Sequence, residues 1–312
     1  MKPTVIQTEN LPQVCSDWLA ERCDLHICPV GSLRFEELLP QAQGLAIRTY
    51  TEVNGEMLNK ASKLKVVGRA GAGVDNINLD LCKEKNITVV HTPGANSESV
   101  VEFVLTTMLS GLRNLNKAPG SLNQQEWNMI RDASMTTKEF METTVGIIGY
   151  GRIGGRLGKM LRLLGFHVLY HDVLDIENTH GSTQVALEKL LFESDVVSIH
   201  VDGRKDNKHM CDTNMFRQMK KDALFINTSR GFIVDAYALT DFLTHSPEAR
   251  AVLDVHDPEP ITPEYPLLHV PNATLYPHIA CKTNTASINM GWVVKDIDKV
   301  LRGDQPTFKV KV

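Results

Sequence analysis

The chain has 312 residues, which is long enough for two domains that each bury a core. Hydrophobic residues make up 42% and charged residues 22%, as in globular proteins and unlike disordered ones. The formal net charge of -4 gives no electrostatic reason to expect nucleic acid or an anionic membrane as a partner.

The sequence shows neither a targeting segment nor a metal-binding pattern. The first ten residues, MKPTVIQTEN, lack the apolar stretch of a secretory signal, and no apolar run reaches the ~18 residues of a membrane span. The six cysteines are scattered without a C-x-x-C pair, so we expect no metal. These features predict a cytoplasmic protein with reduced thiols.

The first hundred residues alternate short β-branched runs with amphipathic segments. This alternation predicts a parallel sheet that is covered by helices on both faces. The predicted strands are 4–8, 25–27, 44–48, 64–70 and 87–91, and the predicted helices include 12–21, 33–42 and 54–62. A long apolar helix, SESVVEFVLTTMLSGLRN, is predicted over 97–114.

A second alternating series begins at 143 and predicts a second α/β lobe. Its predicted strands are 144–149, 167–171, 195–200, 223–228, 250–254 and 273–276, and its predicted helices are 152–164, 184–193, 212–219 and 235–244. One helix over 284–302 and the tail TFKVKV close the chain, and we expect this helix to return to the first lobe. The predicted fold class is α/β, with two doubly wound parallel-sheet lobes.

Residues 145–158, VGIIGYGRIGGRLG, contain a G-x-G-x-x-G motif at Gly149, Gly151 and Gly154. A glycine-rich turn can end a strand for steric reasons alone, but this one follows an apolar strand and opens a helix, as in pyrophosphate-binding loops. A second strand ends in Asp172, where a carboxylate can accept hydrogen bonds from ribose hydroxyls and would repel a 2′-phosphate. The three residues after Asp172 include no arginine. The sequence therefore predicts NAD rather than NADP.

Three later strands are followed by polar residues. Arg230 lies in INTSRG, Asp254 and Glu259 lie in LDVHDPEP, and His278 lies in LYPHIA. Taken singly, each has an ordinary structural interpretation: a surface ion pair, an acidic turn or a structural histidine. At the carboxyl edge of one dinucleotide-binding sheet, they would together supply an anion anchor, an acid/base and a carboxylate that orients it. This combination favours hydride transfer at a carbonyl carbon.

At these residues the chain resembles the NAD-dependent D-isomer-specific 2-hydroxyacid dehydrogenases, and within them the short-chain phosphoglycerate dehydrogenases. The order and spacing of Arg230, Glu259 and His278, 29 and 19 residues apart, match the catalytic triad of that family. The resemblance extends over essentially the whole chain, through VVGRAGAGVDNINL, HTPGANSESVVEF, the glycine loop, INTSRGFIVD, LDVHDPEP and PHIA.

The resemblance implies roles for these side chains. Arg230 would hold the substrate carboxylate and carbonyl, His278 would exchange a proton with the substrate oxygen, and Glu259 would fix the imidazole tautomer. The implied cofactor contacts are Gly149, Gly151, Arg152, Ile153, Gly154, Asp172, Thr228, Ser229, Asp254, His278 and Ala280. Among these, Asp254 would meet the nicotinamide carboxamide.

The resemblance also implies substrate contacts in the first lobe. The implied substrate-binding residues are Arg48, Arg69, Gly71, Ala72, Gly73 and Arg230. The backbone of 71–74 would bind the substrate carboxylate, and Arg48 would meet a phosphate at the far end. Arg131 and Lys282 are further candidate cations, with a surface ion pair to Asp132 as the alternative for Arg131. A second substrate anion favours 3-phosphoglycerate/3-phosphohydroxypyruvate and thus serine biosynthesis, ahead of glyoxylate, hydroxypyruvate or another small 2-ketoacid.

For the architecture, the resemblance implies a flavodoxin-like substrate lobe, 1–98 plus 284–312, and a Rossmann NAD lobe, 99–283. It implies a homodimer through the helix that begins at Ser97, and a plain core helix is the alternative. An NAD-sensing corepressor-like binding protein and a formate or phosphite dehydrogenase are the other functional alternatives. The chain departs from the family pattern after His200, where Val201-Asp202-Gly203-Arg204 replaces the usual Pro-Leu-Thr, and at Cys281 and Lys282.

Overall fold

The computed structural model describes residues 2–113 and 115–310. The predicted lobe, helix and tail include four residues outside the described part: Met1, Asn114, Lys311 and Val312. The chain divides into two compact units, unit 1 (Met1–Ser97 with Cys281–Val312) and unit 2 (Glu98–Ala280). The assignment of the predicted lobes to substrate and to NAD stays a prediction.

Unit 1 contains a five-stranded parallel sheet in the order β2-β1-β3-β4-β5. Its strands are β1 Thr4–Gln7, β2 Asp24–Ile27, β3 Gly44–Ile47, β4 Val66–Arg69 and β5 Thr88–His91. The helices between them are α1 Gln13–Ala20, α2 Leu33–Leu38, α3 Gly55–Lys60 and α4 Leu79–Glu84. β3 and β4 are buried along their whole length, as expected for central parallel strands covered on both faces. The strand order is that of the flavodoxin-like doubly wound fold.

Two helices precede the sheet of unit 2, α5 Ser97–Leu112, whose first residue belongs to unit 1, and α6 Gln124–Ala133. Its strands are β6 Thr144–Ile148, β7 His167–His171, β8 Thr183–Gln184, β9 Val196–Ile199, β10 Leu224–Asn227, β11 Arg250–Leu253 and β12 Ala273–Leu275. The remaining helices are α7 Arg152–Leu163, α8 Leu187–Glu193, α9 Thr213–Gln218 and α10 Ala236–His245.

The strands of unit 2 form one parallel sheet in the order β12-β11-β10-β9-β6-β7-β8. This is the Rossmann order with one further strand, so the predicted fold class is confirmed. The order reverses between β6 and β9, and ligands of such sheets bind outside the carboxyl ends of the strands near that point. The glycine loop follows β6 directly, and the predicted catalytic residues follow β10, β11 and β12.

The prediction of a single closing helix over 284–302 is wrong. The structure has two helices in unit 1, α11 Asn284–Gly291 and α12 Val293–Arg302, separated at Trp292. Trp292 has ψ near 2°, which departs from helical backbone and ends α11. α12 then buries Val293 and Ile297 against the central strands of the unit 1 sheet.

α6 was not predicted from the sequence. None of its residues is buried, and it is fixed by a capping box in which Asn123 and Glu126 exchange hydrogen bonds. Among the helices of the described residues, none has the length and apolar character needed to cross a membrane.

Candidate active site

The glycine loop joins β6 to α7 with a backbone that requires glycine. Gly149 has φ +87°, in the left-handed region, and a Cβ at Gly154 would collide with the carbonyl oxygen of Gly149. A Cβ at Gly151 would instead point into open space, and α7 begins at Arg152 with no side chain capping its N-terminus among the described residues. The loop therefore offers uncovered amides at a helix N-terminus, which suits a pyrophosphate.

Asp172 lies at the end of β7 and is tied to the glycine loop. Its Oδ2 accepts the backbone N–H of Tyr150 at 2.6 Å, and its Oδ1 accepts that of Leu174 at 3.0 Å. The carboxylate is thus held beside the loop with lone pairs left for ribose hydroxyls.

Sequence reasoning found no arginine after Asp172, and it named Arg204 only as part of the departure after His200, without its ion pair. The guanidinium of Arg204 is held by Asp202 through two bonds of 2.7 and 2.6 Å, and these bonds raise the pKa of Arg204. Arg204 lies in the loop after β9, where His200 and Val201 pack against Gly149. The departure from the family pattern at 201–204 therefore places an ion pair in the loop whose first residues contact Gly149.

The turn after β10 is built by Asn227, which the sequence interpretation did not single out. Its buried side chain accepts hydrogen bonds from the N–H and hydroxyl of Ser229 and donates to the carbonyl of Arg230. Thr228 Oγ1 in the same turn is buried and has no hydrogen-bond partner among the described residues. A buried polar atom without a partner is costly, so this hydroxyl fits a ligand contact at the nicotinamide end.

Glu259 and His278 form a hydrogen-bonded pair, as predicted. His278 Nδ1 lies 2.8 Å from Glu259 Oε2, and both side chains are about three-quarters buried, with 25% and 23% of their surface exposed. Glu259 Oε1 accepts the backbone N–H of His256 at 2.9 Å. Burial acts to raise the pKa of Glu259, but the bonds from His278 and His256 outweigh it and hold this pKa below its usual range.

Asp254 holds the backbone that carries His278. The carbonyl of Asp254 accepts the N–H of His278 at 2.8 Å, and its carboxylate accepts those of Ile279 and Ala280 at 2.7 and 2.9 Å. His278 has φ +55°, a left-handed conformation that is unfavourable for a side chain with a Cβ and is stabilised here by these bonds. Burial raises the pKa of Asp254 although the two N–H groups act against it.

The substrate residues predicted in unit 1 lie on the loops after β3 and β4. Arg48 donates to the carbonyl of Asn10 at 3.1 Å, and Glu9 accepts the backbone N–H groups of Arg48, Tyr50 and Thr51. Glu9 therefore shapes the loop that carries Arg48, a role that the sequence interpretation did not identify.

The loop after β4 carries the GAGV stretch. The Gly71 N–H donates to Thr92 Oγ1 at 2.9 Å, and the carbonyl of Ala72 lies 2.7 Å from His91 Nδ1. A Cβ at Gly71 would collide with the guanidinium of the buried Arg69. The N–H of Gly71 is thus used inside unit 1, and the carboxylate-binding role of Gly71, Ala72 and Gly73 stays a prediction.

The remaining predicted cations are solvent-exposed. Arg131 lies on α6, and Lys282 follows the partly exposed Cys281 at the start of the closing segment of unit 1. Their substrate roles stay predictions.

Comparison with known proteins identifies the family. Residues 105–280 match the model of the D-isomer specific 2-hydroxyacid dehydrogenase, NAD binding domain. The chain belongs to this family of NAD-dependent oxidoreductases. The predicted resemblance is confirmed, and NAD is the cofactor that the glycine loop and Asp172 of unit 2 fit.

Relatives with different substrates match this chain about equally well. A D-3-phosphoglycerate dehydrogenase of Archaeoglobus fulgidus is 33% identical over 86% of this chain and 52% of its own length. A glyoxylate reductase of Korarchaeum cryptofilum is 31% identical over 98% of this chain and 95% of its own. The chain thus spans about half the length of the first relative and nearly all of the second.

A solved structure supports the same family. The D-lactate dehydrogenase of Aquifex aeolicus, complexed with NAD and lactic acid, superposes with a TM-score of 0.82 at 27% identity, covering 96% of each chain. The names of these relatives agree on 2-hydroxyacid chemistry and differ in the substrate.

Proposed function

We propose that this protein interconverts a D-2-hydroxyacid and its 2-ketoacid with NAD, and that 3-phosphoglycerate/3-phosphohydroxypyruvate is the substrate pair. The hydrogen-bonded pair of Glu259 and His278 at the carboxyl edge of the NAD-binding sheet carries the proposal. Hydride transfer at a carbonyl needs a proton donor beside the cofactor and a cation for the substrate carboxylate, and His278 and Arg230 follow strands β12 and β10 of that sheet.

The hydrogen bond between Glu259 and His278 determines which ring nitrogen of His278 exchanges a proton with the substrate. A carboxylate only accepts hydrogen bonds, so Nδ1 carries the hydrogen in the bond to Glu259. Nε2 is then the atom that gains or loses a proton. In reduction, protonated Nε2 donates to the ketone oxygen while Glu259 stabilises the imidazolium, and in oxidation neutral Nε2 takes the hydroxyl proton.

Arg230 supplies a fixed positive charge in the same unit. Its backbone is held by Asn227, and its Nη1 donates to the carbonyl of Ser229 at 2.7 Å. A guanidinium can hold a carboxylate by two parallel bonds and polarise a neighbouring carbonyl. NADH supplies the hydride when it is bound.

The proposal of a phosphate-bearing substrate depends on Arg48. The backbone of its loop is fixed by Glu9, so the guanidinium projects from a defined turn of unit 1. A hydrogen bond to a charged group contributes about 1.5–3 kcal/mol, so one phosphate contact would change kcat/KM by about 10- to 150-fold.

Reduction of glyoxylate or hydroxypyruvate is the second candidate. It is favoured by the glyoxylate reductase that matches 98% of this chain and by a hydroxypyruvate reductase of Thermotoga maritima, 31% identical over 85% of this chain and 86% of its own length. The carboxylate of Glu9 at the base of the Arg48 loop also adds negative charge near a site that would bind phosphate.

The experiment compares kcat/KM for phosphohydroxypyruvate and hydroxypyruvate in the wild type, in Arg48→Ala and in the control Arg34→Ala. Arg34 is an exposed arginine of unit 1 that pairs with Glu37. We expect the wild type to prefer the phosphorylated substrate, and Arg48→Ala to lose at least about tenfold on that substrate alone. Equal use of both substrates by the wild type, or equal loss on both, would establish the small-ketoacid alternative.

We further propose a homodimer that buries α6 with α5. Trp127 and Met129 on α6 are 49% and 64% exposed, although such large apolar side chains are usually buried. Sedimentation should show a dimer for the wild type and dissociation for Met129→Glu, and a monomeric wild type would contradict this proposal. The cytoplasmic location and the role in serine biosynthesis stay predictions.

A further inference from the structure

His256 lies between Asp254 and Glu259 in LDVHDPEP, and its side chain has no role in the chemistry above. It is 6% exposed, which is unusual for a histidine unless its ring is hydrogen-bonded. Its backbone N–H donates to Glu259 Oε1 at 2.9 Å, the oxygen that His278 does not use. The backbone of His256 therefore fixes one side of the Glu259 carboxylate.

The ring of His256 reaches the strand-end segment that carries His278. Its Nε2 lies 2.8 Å from the carbonyl oxygen of Tyr276, and the N–H of His278 donates to that same oxygen at 3.0 Å. A carbonyl only accepts hydrogen bonds, so Nε2 of His256 carries the hydrogen and Nδ1 faces the hydroxyl of Tyr265 at 3.4 Å. One carbonyl thus joins His256 to the backbone of His278.

The backbone of His256 also meets the segment that carries Arg230. A Cβ at Gly231 would collide with the carbonyl group of His256, so Gly231 and His256 lie in direct contact. His256 consequently touches the segments that hold each of the three predicted catalytic side chains.

We propose that His256 is a positioning residue for this centre, because its backbone holds Glu259 while its imidazole N–H holds the Tyr276 carbonyl that anchors His278. The proposal rests on the proposed dehydrogenase function. A phenylalanine of similar size would fill the same space, but it would leave the Tyr276 carbonyl without this donor. In the wild type, according to this proposal, the ring N–H of His256 sets the spacing between Glu259 and His278, so the ring does more than fill space in the core.

Two variants separate positioning from packing. His256→Phe keeps the ring and removes the donor, whereas His256→Gln supplies an amide N–H that can reach the Tyr276 carbonyl. Misplacement of a catalytic group by about 1 Å can cost about 100-fold in rate. We therefore expect His256→Phe to lower kcat about 10- to 100-fold with little change in KM for NADH and a shifted pH midpoint, and His256→Gln to restore most of kcat.

Thermal unfolding and an exposed control, His245→Phe on α10, accompany these assays. A lower melting temperature with unchanged kcat per folded enzyme and an unchanged pH midpoint in His256→Phe would overturn the proposal. If that variant does not fold, His256→Met offers a second side chain without the donor.

Nitrogen NMR of the wild type tests the tautomer independently of turnover. The proposal requires hydrogen on Nε2 of His256, and a hydrogen on Nδ1 alone would overturn it. If the wild type reduces no 2-ketoacid, the proposed function fails, while the NMR result still decides whether His256 donates to Tyr276.

Discussion

Asp254, which is buried, and Glu259, which is about three-quarters buried, lie on one strand-end segment, and their pKa values are shifted in opposite directions. Burial raises the pKa of Asp254, whereas the imidazole of His278 and the N–H of His256 hold the pKa of Glu259 low. Glu259 therefore stays ionised well below neutral pH. An ionised Glu259 is what an imidazolium at His278 needs as its partner.

The charge of Glu259 can be tested by Glu259→Gln, which keeps a hydrogen-bond acceptor and removes the charge. Reduction requires protonated His278, so its rate falls as pH rises through a midpoint. A neutral amide stabilises the imidazolium less, and we expect the midpoint of kcat/KM to move down by about one pH unit or more. An unchanged pH profile would remove Glu259 from this role.

Asp172 determines the preferred cofactor in this interpretation. We expect the wild type to prefer NADH over NADPH by at least ~10-fold, because its carboxylate repels a 2′-phosphate. Asp172→Asn, which removes the charge, should shrink this ratio, while the exposed neighbour control Asp175→Asn should not. Equal kcat/KM for the two cofactors in the wild type would show that Asp172 does not select the cofactor.

At the residue scale, the sequence predicts side chains that follow strands but not the groups that hold them. The pairing of Glu259 with His278 was predictable from their positions after neighbouring parallel strands. Asn227, Glu9 and Arg204 were not, since their contacts are side-chain bonds to backbone or to a local carboxylate and leave no periodic pattern. Asn227 is part of the INTSRG motif, which was the one available signal.

At the element scale, buried strands were the most predictable part of the fold. β3, β4, β9 and β10 are continuous runs in which every residue is buried, and such runs stand out in a sequence. α6 was missed because its stability comes from the Asn123 capping box and not from a buried apolar face. The break at Trp292 was missed because apolar periodicity continues across it.

α12 shows how one helix residue fixes a distant segment. Asp296 is 5% exposed, and its two carboxylate oxygens accept the N–H groups of Thr307 and Phe308 at 2.9 and 2.8 Å. The tail beyond them hydrogen-bonds to β5, where the N–H of Val310 donates to Val89. The bonds from Thr307 and Phe308 outweigh the opposing effect of burial and hold the pKa of Asp296 below its usual range.

We therefore expect Asp296→Asn to lower the free energy of unfolding at pH 7 by about 1–3 kcal/mol. A lowered folded-state pKa contributes stability above the unfolded-state value, and that contribution is lost as pH falls through the folded-state value. The difference between wild type and variant should thus shrink on acidification below about pH 4. Denaturant unfolding at several pH values measures this difference in unfolding free energy, with the exposed Asp304→Asn as the control. A difference that does not change with pH would show that the Asp296 carboxylate is not its source.

At the scale of the whole chain, two doubly wound parallel sheets follow one another in sequence, and the closing helices α11 and α12 belong to the first unit. In unit 2, the strand order places β10, β11 and β12 side by side. Residues that are 29 and 19 positions apart in sequence therefore follow adjacent strands of one sheet. The position of the three predicted catalytic residues is a consequence of this topology.

The most direct test of a D-2-hydroxyacid dehydrogenase centred on Glu259 and His278 is NADH oxidation with a panel of 2-ketoacids, followed by chiral analysis of the product. The wild type should form the D-hydroxyacid. His278→Ala should lower kcat by roughly 10²–10⁴-fold while NADH binding, measured by fluorescence titration, changes little. No turnover with any 2-ketoacid, an L-product, or an unchanged kcat in His278→Ala would contradict the assignment.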